Sequence, residues 1–142
     1  MAWSSRRNSV VSGNKMVAAV FDTNILIDYL NGYKQAEKTL EKYDDKKISV
    51  ITYIELLAGA KTDEEKNIIT ALVKSEFEVL DLDMRISEEA ADIRSNSILN
   101  RNKLKLPDCI VLASANTQVI ALVTRAEDAF SDYPNVIVPY RV

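Results

Sequence analysis

The stretch Val17-Ala18-Ala19-Val20-Phe21-Asp22-Thr23-Asn24-Ile25-Leu26-Ile27-Asp28-Tyr29-Leu30 decides the fold. Its apolar opening has the unbroken hydrophobicity of a strand covered on both faces, and Met16–Phe21 is read as strand one. A helical-looking segment follows and stops at Asn31-Gly32, a C-terminal signal. Asp22 therefore falls at the carboxyl end of a buried strand, the place where open α/β sheets bind ligands. A carboxylate is costly to desolvate there unless a cation, a metal or helix N-terminal amides compensate it. Two readings of Asp22 stand side by side: the N-cap of the next helix, and a functional carboxylate.

Outward from this junction, residues 35–43 read as a second helix with Ala36, Leu40 and Tyr43 on one face. Residues 48–52 read as strand two, with Glu55 in the first turn after it. Thr62 and Glu65 have the spacing of a capping box and open a helix with Ile68, Ile69, Leu72 and Val73 inward. Residues 77–82 give strand three. Residues 87–100 give a long helix with Ala90, Ile93 and Ser97 in one stripe. A basic loop, 101–105, precedes Pro107-Asp108 and a helix through Asn116. Strands four and five fall at 119–124 and 136–138. Strands alternating with helices predict an α/β fold, a single domain whose central parallel sheet of four to five strands is flanked by helices.

The chain of 142 residues is 47% apolar and 27% charged, the balance of one globular domain. It contains no histidine, which excludes imidazole as a general base and any His-ligated zinc. The single cysteine, Cys109, excludes an internal disulfide and fits a reducing cytosol; it is most simply a small buried residue. A bound metal would have to be held by oxygen, which points to Mg²⁺ or Mn²⁺. The net charge of −3 argues against a broad basic face that coats nucleic acid, though not against a local basic patch. Residues 1–15 are polar and carry neither a signal peptide nor a membrane span. They read as a flexible N-terminal extension or an expression leader, with the domain over 16–142.

Three further acidic residues share the placement of Asp22. Glu55 follows strand two, Asp128 follows strand four beside Glu127, and Asp108 begins the helix that feeds strand four. A crossover helix runs antiparallel to its strands, so its N-terminus lies at their carboxyl ends. Each residue has a plainer reading: Glu55 and Asp108 as first-turn acids favoured by the helix dipole, Asp128 as part of a solvated loop. Four such placements at one sheet edge are harder to ascribe to coincidence. Clustered carboxylates raise one another's pKa unless a divalent cation sits among them. Asp28 is read as the solvent face of helix one.

Phe21-Asp22-Thr23-Asn24-Ile25-Leu26-Ile27 resembles the opening signature of the PIN domain, and within that family of the VapC-type toxins of toxin–antitoxin pairs. Ser49-Val50-Ile51-Thr52 with Glu55-Leu56 and Gly59-Ala60 is similar to its second motif. Pro107-Asp108 with Ile110, Ala113 and Ala115 is similar to its third, and Leu122-Val123-Thr124-Arg125 with Phe130 to its fourth. The last departs from the pattern: alanines, Ala126 and Ala129, stand where the family has its acidic residue, with Glu127 and Asp128 between them.

The resemblance implies a Mg²⁺- or Mn²⁺-dependent endoribonuclease, RNA as substrate, a homodimer and inhibition by a cognate antitoxin. Carried onto this chain, Asp22, Glu55, Asp108 and Asp128 hold the metal, Asn24 orients Asp22, and Thr124 supplies a supporting hydroxyl. Arg101, Lys103, Lys105 and Arg125 are candidates for RNA phosphate contact, with a solvated basic loop as the plainer reading. Two alternatives remain in view. One is a non-catalytic PIN-fold protein-binding module. The other is an aspartate-nucleophile phosphatase of the haloacid-dehalogenase type; against it, Asn24 stands where a second Asp is required and no later Gly-Asp-x-x-x-Asp segment appears.

Overall fold

Strand β1 (Met16–Phe21) runs through the middle of a five-stranded sheet and is paired on both edges. The computed structural model describes residues 16–101 and 104–142, so the expectations for residues 1–15 and for Lys103 lie outside it. After β1 come α1 (Thr23–Leu30), α2 (Lys34–Glu41), β2 (Tyr43–Ser49), α3 (Val50–Gly59) and α4 (Asp63–Glu76). They are followed by β3 (Glu78–Leu80), α5 (Met84–Leu99), α6 (Leu106–Gln118), β4 (Ala121–Val123) and β5 (Val136–Ile137). The strand order is β3-β2-β1-β4-β5, and every pairing is parallel.

Alternation along β1 divides the core. Ala18 and Val20 belong to the layer built with Ile86, Ala90 and Ile93 of α5 and with the apolar face of α6. Ala19 and Phe21 belong to the opposite layer, with Ile25 and Leu26 of α1, Leu40 of α2, Leu56 of α3, and Ile69 and Val73 of α4. The α/β fold with helices on both faces therefore stands as read. Helix α6 is buried along a continuous run from Cys109 to Ala115. Cys109 itself is a buried free thiol.

Two boundaries differ from the sequence reading. Strand two lies earlier, over Tyr43–Ser49, and Tyr43 is its first residue rather than the end of a helix. The Tyr43 ring meets Phe21 edge to face at 5.2 Å, a contact that fixes it to the sheet. The polar run Asp44-Asp45-Lys46-Lys47 hid the strand. Lys47 is nearly covered yet reaches Asp45 and Glu78, so its charge is answered at the edge while its stem packs. Val50, Ile51 and Thr52 are helical despite their β-branching, because the Ser49 hydroxyl accepts from Ile51 N–H and caps α3. Glu55 consequently sits in the second turn of α3, not the first.

Thr62 caps α4 as the spacing predicts, while the return bond from Glu65 falls one residue early. Thr62 Oγ1 accepts from Glu65 N–H (3.1 Å), and Glu65 Oε1 accepts from the N–H of Lys61 (3.0 Å), one residue before the box's usual partner. Of the apolar residues expected to face inward from α4, Ile69 and Val73 are buried, but Ile68 is 51% exposed. The helix meets the sheet along a narrower stripe than its sequence suggests. Ile69→Ala should therefore destabilise by about 2–4 kcal/mol through loss of core contacts and the cavity left behind. Ile68→Ala should cost under about 0.5 kcal/mol, as a surface change does. Chemical denaturation of the two variants reads the difference; equal losses would mean that α4 is rotated.

Candidate active site

The chain order of the strands creates the site. β2 and β3 extend from one edge of β1 and β4 and β5 from the other, so the carboxyl ends of β1 and β4 form a topological switch point. Asp22 leaves β1 there and Thr124 leaves β4. The backbone joins them first: Asp22 N–H donates to Val123 C=O at 2.9 Å.

Asp22 is 6% exposed. Its Oδ1 accepts from Thr23 N–H (2.8 Å), the N-cap bond of α1, and its Oδ2 accepts from the Thr124 hydroxyl (2.8 Å). Capping and a role in the site thus coexist in one side chain. Asn24 Nδ2 donates to Thr124 Oγ1 (3.1 Å) and, at longer range, to Asp22 Oδ2 (3.4 Å); Asn24 Oδ1 accepts from Arg125 N–H (3.0 Å). Thr124 Oγ1 also accepts from Ala126 N–H (3.0 Å). These bonds fix the orientation of Asp22. Burial nonetheless pushes its pKa up, helped by the nearby charge of Glu55; the bonds from Thr124 and Thr23 oppose the rise without cancelling it.

Glu55, on α3, is exposed and held by the Thr23 hydroxyl, which donates to its Oε1 at 2.6 Å; the Thr52 hydroxyl lies 3.2 Å from Thr23 Oγ1. Sequence reading gave Thr23 and Thr52 no part in the site. Thr23 stands next to Asp22 in the motif, but its bond to Glu55 spans 31 intervening positions that only the fold brings together. Asp108 sits in the first turn of α6 behind Pro107 and is half-buried. Desolvation, and then the charges of Asp22 and Glu55, raise its pKa to about 6, against the opposing charge of Lys105. Asp22, Glu55 and Asp108 therefore form one electrostatic unit drawn from three elements.

The remaining candidates separate from this unit. Asp128 is exposed on the turn after β4 and is not among the charges acting on Asp108. Its neighbour Glu127 is paired with Arg141 through two bonds of 2.8 Å. Arg101 is exposed with φ 61°, and Lys105 is exposed at the cap of α6. Arg125 is turned inward: Nε and Nη2 donate to the two oxygens of Asp28 at 2.6 and 3.1 Å. Asp28 is 3% exposed, so its placement on the solvent face is corrected. The helical periodicity of α1 does lead Asp28 away from the sheet centre, but the segment after β5 returns over it and Tyr140 Oη donates to it at 2.8 Å.

Among the described residues, no three acidic or thiol side chains lie close enough, as placed, to close around one ion. The donor chemistry still suits a hard divalent cation. The donors are carboxylate oxygens in mutual repulsion, and Mg²⁺ commonly takes only one or two carboxylates and keeps waters in its shell.

Residues 19–136 match the family model described as PIN domain. The chain belongs to the PIN domain family. Within solved structures, this PIN domain is similar to a chain of a toxin–antitoxin complex from Klebsiella pneumoniae, with 36% identity and a TM-score of 0.77 over 87% of this chain and 99% of that one. It also shares its fold with a chain of FitAcB from Neisseria gonorrhoeae (21% identity, TM-score 0.73, 87% and 99% covered). A chain of DNA-bound VapBC from Salmonella typhimurium is similar too (23% identity, TM-score 0.71, 85% and 96% covered). No curated protein matches the sequence. Among the described residues, no helix of this PIN domain is long and apolar enough to cross a membrane.

The Asp108 shift has a measurable sign. Its folded pKa near 6 exceeds the ordinary 3.8, so the native state holds that proton more tightly than the unfolded chain does. The stability this contributes is fully present below about 3.8 and is lost as pH rises through about 6. In metal-free buffer, the melting temperature of Asp108→Asn should therefore gain on wild type as pH goes from about 4 to about 7. A gap that stays constant across that range would show that folding does not raise the Asp108 pKa.

Proposed function

We propose that this PIN domain is the toxin of a VapBC-like toxin–antitoxin pair and hydrolyses RNA phosphodiester bonds with Mg²⁺ or Mn²⁺. The observation that carries the reading is the convergence of Asp22, Glu55 and Asp108: on top of burial, the charges of Asp22 and Glu55 help raise the Asp108 pKa to about 6. The 36% identical chain from a toxin–antitoxin complex supports the biological setting. In this reading Asp22, Asp108 and Glu55 hold one or two ions, and Asp128 approaches from its exposed turn. A bound divalent ion would activate a water for in-line attack and offset the charge that builds on the phosphate. The chain's own part is to orient the carboxylates: Thr124 and Asn24 lock Asp22, and Thr23 locks Glu55. Arg101, Lys103 and Lys105 lie near the start of α6 in sequence and suit contact with RNA phosphates.

A cleft of about 410 Å³ opens beside Glu55, walled by Ile27, Leu30, Leu56, Ile68 and Ile69. Such a wall suits an apolar segment of the antitoxin, which would also cover the Glu55 carboxylate. A homodimer completes the proposed assembly. One observation favours a second reading: the carboxylates as placed do not close on one ion, which a non-catalytic binding module would not require.

Cleavage assays separate the two. Asp22→Asn and Asp108→Asn should abolish Mg²⁺- or Mn²⁺-dependent RNA cleavage while circular dichroism shows an intact fold. Asp128→Ala should lower cleavage less than either, and Glu127→Ala, which removes only a surface pair with Arg141, should do little. Wild-type cleavage that persists in excess EDTA would overturn the metal-dependent reading.

A further inference from the structure

A continuous chain of hydrogen bonds leads from the segment after β5 to the Asp22 carboxylate. Tyr140 Oη donates to Asp28 Oδ2 (2.8 Å), and Arg125 grips both Asp28 oxygens. The Arg125 backbone N–H donates to Asn24 Oδ1, and Asn24 Nδ2 donates to the Thr124 hydroxyl, which donates to Asp22 Oδ2. Asp28 is 3% exposed, and a carboxylate so buried depends on the donors that reach it, here three from Arg125 and Tyr140. The two-pronged Arg125 bond supplies both charge and fixed geometry, which a lysine cannot reproduce. A guanidinium spent in this way is not free to meet a phosphate.

We infer that Arg125, clamped by Asp28 and steadied by Tyr140, is a positioning residue that sets the Thr124–Arg125 backbone and, through Asn24, the orientation of Asp22. The inference rests on the metal-dependent reading above only for its effect on activity; the hydrogen-bond chain itself does not. Residues that orient ligating side chains typically change metal affinity or activity 10–100-fold when replaced.

Arg125→Lys decides between positioning and phosphate contact, because it keeps the charge and removes the fork. Positioning predicts a kcat about tenfold lower with KM for RNA little changed, and Mn²⁺ affinity, read calorimetrically without RNA, about tenfold weaker. The Asn24 side-chain amide resonances should shift in the metal-free variant. Tyr140→Phe removes one bond and leaves the ion pair, so it should give the same pattern at a few-fold and remain folded even if Asp28→Asn does not. Wild-type kcat and Mn²⁺ affinity in Arg125→Lys, or a raised KM with unchanged kcat in Arg125→Ala, would overturn the inference. A wild type that cleaves no RNA, with Asn24 resonances still shifted in Arg125→Lys, would remove the nuclease reading and leave the positioning role standing.

Discussion

The hydrogen bond from the Thr124 hydroxyl to Asp22 joins the ends of two central strands at the one point where the strand order reverses. It lets a carboxylate stay buried at the carboxyl edge of the sheet. Desolvation works against it, and so does the charge of Glu55. Asp22 also caps α1, and its N–H is bound to Val123. Every other feature of the site is arranged around this residue: Asn24 lies one turn-step on, Glu55 arrives with α3, and Asp108 arrives with α6. Acidic groups gathered this way weaken the fold they belong to, which is the usual trade at a functional site.

Most of the architecture was legible because the sheet is parallel and its strands are apolar runs between clear helix signals. β1, the caps at Asp22 and Thr62, and the inward stripe Ala90-Ile93-Ser97 of α5 all follow from local chemistry. β2 lies earlier than its sequence suggests because its buried register is carried by Tyr43 and Ile48, with charged residues between them; Lys46 and Lys47 meet Glu76 and Glu78, far away in sequence. Ser49 then looked like strand interior, whereas it is the cap that turns Val50-Ile51-Thr52 into a helix. Local propensity lost to capping and pairing, as it often does for β-branched runs.

At the site, the acidic residues were visible as positions at one sheet edge, since strand ends and crossover helix starts share that edge. Their supports were visible only where they neighbour a motif residue, as Asn24 and Thr124 do. The Thr23–Glu55 bond and the Asp28–Arg125–Tyr140 cluster join residues separated by 31 and by as many as 111 intervening positions, and no periodicity reports such pairs. Asp28 looked like a surface residue because its cover comes from the segment after β5. Arg125 looked like a basic loop residue for the same reason.

The burial of α6 from Cys109 to Ala115 has a consequence for the timescale on which the site holds together. A helix enclosed by both β1 and α5 cannot detach without opening the core, so the amide protons of its central turns belong among the slowest of the domain to exchange with solvent. Asp108 stands just before that buried run and Asp22 at the end of the strand beneath it, so the spacing of the two is set by the packed core. Asp128 is exposed on a turn whose anchor in the core is Phe130, two residues on. Asp22 and Asp108 thus rest on packed elements and Asp128 on a turn, and that turn is where the sequence departs from the family pattern.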